Sequence, residues 1–347
     1  MILNKPKIVT FDVTYKCNLA CNMCQTKWFQ EDTRFGRSLS KEQIIQTAQR
    51  LKKEDGAQFF RFVGAEPLLH PDILEIIREV SKIGDTWLTT NGTLITEKMA
   101  KDIISSGLKY LCISYHSVSE HYKGRSPEKI VEKTIKGIEA IDLAKKKLQS
   151  PLKIMVTNVI TPDNYTEVLK IERLFRRYDV STVFSPVHSM RKYLNNTHWN
   201  GQKAEYLGTS KKEPNSLSFW QKIIFRFQTQ LLKSRHKSLL FRPLHFIASQ
   251  LLYLYRELYR MCVYIPCTKP YERIGVRADG KIFACEFLKT VDMGCIQDKM
   301  LWDTPVRQEL IRITQKGTLE ICRQCNRESL YRPYMLPIKI LHKFMKT

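Results

Sequence analysis

Along residues 7–186 the apolar positions switch between a two-residue and a three-to-four-residue period, with short connectors between. Six runs read as strands: 7–13, 58–64, 86–92, 109–115, 152–160 and 181–186. Each is β-branched or aromatic and short, as a half-buried strand requires. Helical spacing fills the gaps. Residues 41–54 carry Ile44, Ile45, Ala48 and Leu51 on one face, with Ser40 as the N-cap. Residues 71–84 read as a helix opened by Pro71 and closed by Gly84, and 96–107 as one closed by Gly107. Longer helical patterns run from about 128 to 147 and from 164 to 179.

Strands alternating with helices give a parallel sheet with helical crossovers. Polar or special residues lie at the C-terminal ends of all six strands: Cys17, Gly64 to Glu66, Asn91, Ser114, Asn158 and Pro186. A doubly wound sheet would gather such residues at one switch point, whereas a barrel spreads them round its rim. The expectation is an α/β fold, a partial (β/α)6 TIM-like barrel over residues 1–188.

Beyond residue 188 the pattern changes. Residues 189–262 read as a basic helical insertion, with thirteen Lys or Arg against three Glu and aromatic residues between them. Two basic amphipathic helices are expected, 218–234 and 239–261, broken near Pro243. Residues 263–347 form a third region with a basic tail at 336–347 and a hairpin over 272–285. Asp279-Gly280 between its strands signals a type I′ turn.

Composition narrows the classes. A 43% hydrophobic fraction supports a packed core. No leader with a long apolar stretch precedes the first strand, and the longest apolar run, 246–255, is far short of the roughly 20 residues of a membrane span. A cytoplasmic protein is expected, with peripheral association at the inner membrane face. Net charge is +23, which calls for an anionic partner. No nucleic-acid module is recognisable, so nucleic acid ranks last among such partners.

The ten cysteines cluster, which points to metal rather than disulfides. Cys17, Cys21 and Cys24 fall in "KCNLACNMC". Three thiolates are one short of a closed zinc site but suit a [4Fe–4S] cube with one iron left open.

Cys17-x3-Cys21-x2-Cys24 after a first strand resembles the signature of the radical S-adenosylmethionine (SAM) enzymes. "GAEPLL" (64–69), "TTNGT" (89–93), "ISYHS" (113–117), "TNVITPDNY" (157–165) and "FSPVH" (184–188) resemble that family's successive strand ends. The resemblance implies that Cys17, Cys21 and Cys24 hold a [4Fe-4S] cluster whose open iron binds SAM. Reductive cleavage then yields a 5′-deoxyadenosyl radical that abstracts a hydrogen from substrate. It also implies cofactor contacts from Met23, Gly64, Glu66, Asn91, Ser114, Asn158 and Pro186, with Glu66 accepting from the cofactor's ammonium. Ala65, where the family usually has glycine, is tolerated only at negative φ. Tyr115 and His116 are the substrate-side candidates.

Cys267, Cys285, Cys322 and Cys325 resemble the reduced (twitch/SPASM-like) auxiliary-cluster domain that follows the barrel in many such enzymes. This implies one fully ligated auxiliary [4Fe-4S] cluster for electron transfer, with zinc as the rival occupant. A reducing donor such as ferredoxin or flavodoxin is implied. Basic amphipathic helices with Trp220, Phe225, Phe227, Leu231 and Leu232 suggest an anionic membrane surface and a lipid or lipid-linked substrate. A peptide-modifying maturase and a non-enzymatic iron–sulfur or zinc protein are the alternatives.

Overall fold

A computed structural model describes residues 7–21, 24, 26, 38–116, 127–187, 198–199, 202–203, 217–234, 272–285, 288–289 and 291–316. Met23, Cys262, Cys267, Cys322, Cys325, the expected helix 239–261 and the basic tail lie outside the described residues.

All six expected strands form: β1 (Ile8–Thr14), β2 (Phe59–Gly64), β3 (Asp85–Thr90), β4 (Tyr110–Ser114), β5 (Lys153–Ile160) and β6 (Ser181–Pro186). Each pairs in parallel with its successor. Between them run α1 (Lys41–Asp55), α2 (Ile73–Ser81), α3 (Glu97–Ser105), α4 (Pro127–Lys147) and α5 (Val168–Phe175). Period-two alternation sends Phe60, Phe62, Leu88, Leu111 and Ile113 to the buried helix side, against Ile44, Leu51, Ile76 and Ile77. The result is the partial (β/α)6 barrel.

Local chemistry sets the ends. Ser40 and Gln43 make a reciprocal capping box at α1, and Gly56 closes it in the left-handed region. Two helices are shorter than expected. α2 begins after Asp72 rather than at Pro71, and Gly84 is not a left-handed cap. A Cβ at Gly84 would lie 2.7 Å from Gln58 O, so close packing explains that glycine. α5 starts at Val168 because the Asn164 side chain turns the chain first, its Oδ1 accepting from Thr161 N at 2.8 Å.

Beyond β6 come a short antiparallel pair, β7 (His198–Trp199) with β8 (Gln202–Lys203), and helix α6 (Phe219–Ser234). The C-terminal hairpin does more than expected. β9 (Arg273–Val276) pairs in parallel with β1, and β10 (Ile282–Phe283) pairs antiparallel with β9. Among the described residues the sheet therefore has eight strands in the order β10-β9-β1-β2-β3-β4-β5-β6. The hairpin turn is not type I′, which needs positive φ at both Asp279 and Gly280. Only Gly280 (φ +82°) has it. Gly280 N donates to Arg277 O at 2.9 Å and Arg277 N to Lys281 O at 2.8 Å, so Ala278, Asp279 and Gly280 form a three-residue loop. The Arg277 guanidinium grips the Asp279 carboxylate at 2.6 Å and stabilises that longer loop. Helix α7 (Pro305–Lys316) buries Arg307 with its guanidinium 4.1 Å from the Trp302 ring centroid and donating to Arg273 O at 2.9 Å.

On the concave face of the sheet, Phe59, Trp87 and Tyr110 stack near the strand starts, with centroids 5.6 to 5.9 Å apart. Arg61 lies 5.3 Å over Trp87, and Lys153 lies 5.6 Å over Tyr110. These rings and cations fill the strand-start end of that face.

One packing contact links core to rim. A Cβ at Gly137 of α4 would sit 2.3 Å from Gly92 O, in the turn after β3. Gly137→Ala is expected to lower stability by about 1–3 kcal/mol, read from urea unfolding, because backbone rather than a flexible side chain must yield.

Candidate active site

A cavity of about 400 Å³ opens at the C-terminal strand ends, a volume suited to a cofactor or drug-sized ligand. Cys17, Cys21 and Cys24 line it, with Gly64, Ala65, Thr89, Thr90, Asn91, Ser114, His116 and Pro186 among its other walls.

The three thiols are crowded and half-buried. Burial pushes the Cys17 thiol up to about 11, with Glu66 and Cys24 adding to it. Burial likewise pushes Cys21 up to about 12, with Cys24 and Cys17 adding. Leu19 N donates to Cys17 Sγ at 3.3 Å, and Cys24 Sγ lies 3.0 Å from Thr26 Oγ1. Thiolates gathered here need positive charge, which a ligated iron at each sulfur supplies. The donor set fits an iron–sulfur cluster.

The loop carrying them is pinned to the sheet. Ala65 N donates to Thr14 O at 2.9 Å and Glu66 N to Lys16 O at 3.0 Å. Asn91 Nδ2 donates to Asn18 Oδ1, and Asn18 Nδ2 to Thr93 Oγ1, each at 2.9 Å. Asn18 and Thr26 were not anticipated. Their only sequence signal is position, Asn18 inside the cysteine loop and Thr26 two residues past it.

Gly64 adopts φ +128°, and a Cβ there would meet Thr14 O at 2.4 Å. Only glycine fits this wall of the cavity. Ala65 avoids the left-handed region, since Gln149 alone among the described non-glycine residues has positive φ. Its methyl is therefore accommodated.

Three of the expected site residues do not line the cavity. Glu66 does not line the cavity. It is fully buried, and its carboxylate accepts from Thr90 Oγ1 (2.7 Å), Asn91 N (2.7 Å) and Leu68 N (3.0 Å). Burial raises its carboxyl above the ordinary range against the pull of these donors. These three donors make it an internal staple. Asn158 falls on the buried side with Val156 and Ile160, and Val159 lines the cavity instead. Tyr115 also turns away, packing edge-on to Phe175 of α5 at 4.8 Å. Its neighbours Ser114 and His116 line the cavity. Cys285 follows β10 at intermediate exposure. Cys112 is buried, 3.6 Å from Thr157 Oγ1.

A ring of strand-end residues above a parallel sheet, with three thiols in one cavity, defines a cluster-dependent barrel enzyme. Residues 11–175 match the model of the Radical SAM superfamily, and residues 267–326 match SPASM, an iron-sulfur cluster-binding domain. The chain is a radical SAM enzyme with a C-terminal SPASM-like cluster domain. SAM and [4Fe-4S] clusters, one of them auxiliary, are its cofactors.

The GTP 3′,8-cyclase of Aquifex aeolicus is 26% identical over 298 residues, 82% of this chain and 83% of that protein. The GTP 3′,8-cyclase of Lactiplantibacillus plantarum is 30% identical over 184 residues, 51% of this chain and only 52% of its own length. Among solved structures, Streptococcus suis SuiB bound to precursor peptide SuiA superposes with TM-score 0.64 at 14% identity, covering 94% of this chain and 72% of SuiB. anSMEcpe with bound AdoMet and Cp18Cys peptide gives TM-score 0.59 at 19% identity, over 92% and 87% of the two chains. These structural likenesses establish the fold.

The raised thiols carry a direct consequence. In cluster-free protein at pH 8, Cys17 and Cys21 stay almost wholly protonated, whereas an ordinary cysteine (pKa about 8.5) is partly thiolate. Their greater intrinsic nucleophilicity recovers part of the lost rate. Iodoacetamide labelling followed by peptide mass spectrometry should therefore run at least ~10-fold slower at both than in urea-unfolded protein.

Proposed function

We propose that this chain uses SAM to abstract a hydrogen from an anionic, membrane-associated substrate, a lipid or a lipid-linked molecule. In this reading Cys17, Cys21 and Cys24 hold the SAM-binding cluster. Gly64, Asn91, Ser114 and Pro186 shape the cofactor's cavity, and His116 faces the substrate side. Cys285 joins Cys267, Cys322 and Cys325 at the auxiliary cluster. Residues 1–188, 189–262 and 263–347 are the barrel, the basic insertion and the cluster domain, and ferredoxin or flavodoxin supplies electrons. The bound cofactor supplies the radical chemistry; the chain's residues bind, orient and exclude water.

The observation that carries the substrate class is helix α6 (Phe219–Ser234). Phe225 and Gln228 face inward, and Gln228 Nε2 donates to Tyr165 O at 2.8 Å, just past the C-terminal end of β5. The helix is thus anchored beside the rim of the cavity. Its other face exposes Trp220 (71%), Ile224 (40%), Phe227 (44%) and Leu231 (38%), spaced as one helical stripe. Lys222 and Arg226 sit on the same helix, and the chain carries +23. An apolar stripe flanked by cations suits the headgroup region of an anionic bilayer. No helix among the described residues is long and apolar enough to cross a membrane.

A second reading has support of its own. The match to GTP 3′,8-cyclase spans 82% of this chain, and a nucleoside triphosphate is also an anion. SuiB and anSMEcpe, with their peptides, share the fold, which keeps peptide modification as a third.

Anaerobic reconstitution with SAM and dithionite should give 5′-deoxyadenosine, and Cys17→Ala, Cys21→Ala or Cys24→Ala should abolish it. Flotation with phosphatidylglycerol-rich vesicles should recover the protein, and Trp220→Glu with Phe227→Glu should lower the bound fraction on the order of tenfold. Lipid, peptide and nucleotide profiling of a deletion strain separates the three readings. Consumption of GTP by purified enzyme with no vesicle binding would sink the lipid proposal.

A further inference from the structure

The two cysteine segments meet across a buried charged network. Asp12 belongs to β1, whose chain continues through Tyr15 to Cys17. It is fully buried and receives Lys289 Nζ at 2.8 Å, itself only 6% exposed. The Tyr15 hydroxyl donates to the same carboxylate oxygen, Asp12 Oδ2, at 2.7 Å. Lys289 follows Cys285 by four residues, at the end of a turn in which Leu288 N donates to Cys285 O at 3.0 Å. The main chain of Lys289 is held as well, since Arg277 Nη1 donates to Lys289 O at 3.0 Å. Arg277, 4% exposed, is balanced by Asp279 at 2.6 Å and Asp292 at 3.0 Å.

Burying these ions is costly, and well-packed apolar residues of the same volume often do as well for stability. A pair retained at such a place serves registry where it joins two elements that must keep a fixed relation. Here those elements are the strand that leads to the first cysteine set and the turn that leaves Cys285. The backbone pairing of β1 with β9 ends at Phe11 and Val276. Past that point Lys289 and Asp12 carry the connection onward toward the cysteines.

We propose that the Asp12–Lys289 pair, braced by Tyr15 and Arg277, is a strut that positions Cys285 and so fixes the auxiliary cluster against the SAM-binding cluster. Lys289 and Asp12 are positioning residues; neither touches substrate. The inference rests on the proposed assignment of Cys285 as an auxiliary ligand.

The test uses full-length protein reconstituted anaerobically, with iron content, electron paramagnetic resonance of each cluster and thermal unfolding as readouts. Wild-type protein should hold about eight irons and Cys285→Ala about four, one cube fewer. Lys289→Met should lose or shift the auxiliary signal while the first cluster keeps its SAM-induced spectral change. The double variant Asp12→Asn, Lys289→Met removes both buried charges and should regain thermal stability without regaining the auxiliary signal. Lys289→Arg, which keeps the charge, should restore most of that signal. If the double variant recovers stability and both wild-type signals together, the pair is only a stability device and the proposal fails. It fails too if Lys289→Met leaves iron content and both spectra unchanged. Two intact clusters in Cys285→Ala would instead overturn the ligand assignment, and the inference with it.

Discussion

The site is organised around one buried carboxylate. Glu66 has no access to water, and an ion in that position must have its lone pairs satisfied by protein donors. Those donors come from its own turn, through Leu68 N, and from the end of the next strand, through Thr90 Oγ1 and Asn91 N. Satisfying Glu66 therefore fixes the end of β3 relative to β2. It also aims the Asn91 amide at Asn18, inside the cysteine loop. The main chain completes the link, because Glu66 N donates back to Lys16 O. A single desolvated acid thus sets three chain segments in register, and the cysteine loop inherits its position from them. The glycines nearby follow from the same closeness. Gly64 and Gly137 each stand where a methyl would strike a backbone oxygen at 2.4 and 2.3 Å.

What the amino-acid pattern disclosed and what it hid divide along the range of the interactions. The strands were legible because two-residue alternation is local, and the cysteine loop because its ligands are neighbours in sequence. Parity at a strand end was harder. Ser114 and His116 reach the cavity while Tyr115 between them packs on Phe175. Val159 reaches it while Asn158 does not. A one-residue difference in where alternation is counted exchanges the two faces. The inward turn of Glu66 was hidden for another reason: two of its donors lie 24 and 25 residues away, and nothing local says that a rim carboxylate turns inward. The hairpin turn was decided by an ion pair, Arg277 with Asp279, which stabilises a loop one residue longer than Asp-Gly alone suggests.

The pairing of β9 with β1 was the least legible feature, since more than 250 residues separate Phe11 from Val276. It changes the architecture. Strand β1 is not the edge of a barrel but an interior strand, with β2 on one side and the C-terminal hairpin on the other. Its buried acid, Asp12, is consequently enclosed on both flanks and must find a cation from the hairpin side.

That topology bears on how two metal centres can share one chain. Electron transfer between clusters depends on their separation, and a domain hanging on a flexible linker would leave the separation undefined. Here the chain that reaches Cys17 and the hairpin that reaches Cys285 are neighbouring strands of one sheet. Their relation is set by backbone hydrogen bonds every few ångströms and then by buried charge. The fold thereby sets the relation of the two cysteine-bearing segments within one sheet, while α6 packs on the barrel through Phe225 and through Gln228, whose Nε2 donates to Tyr165 O.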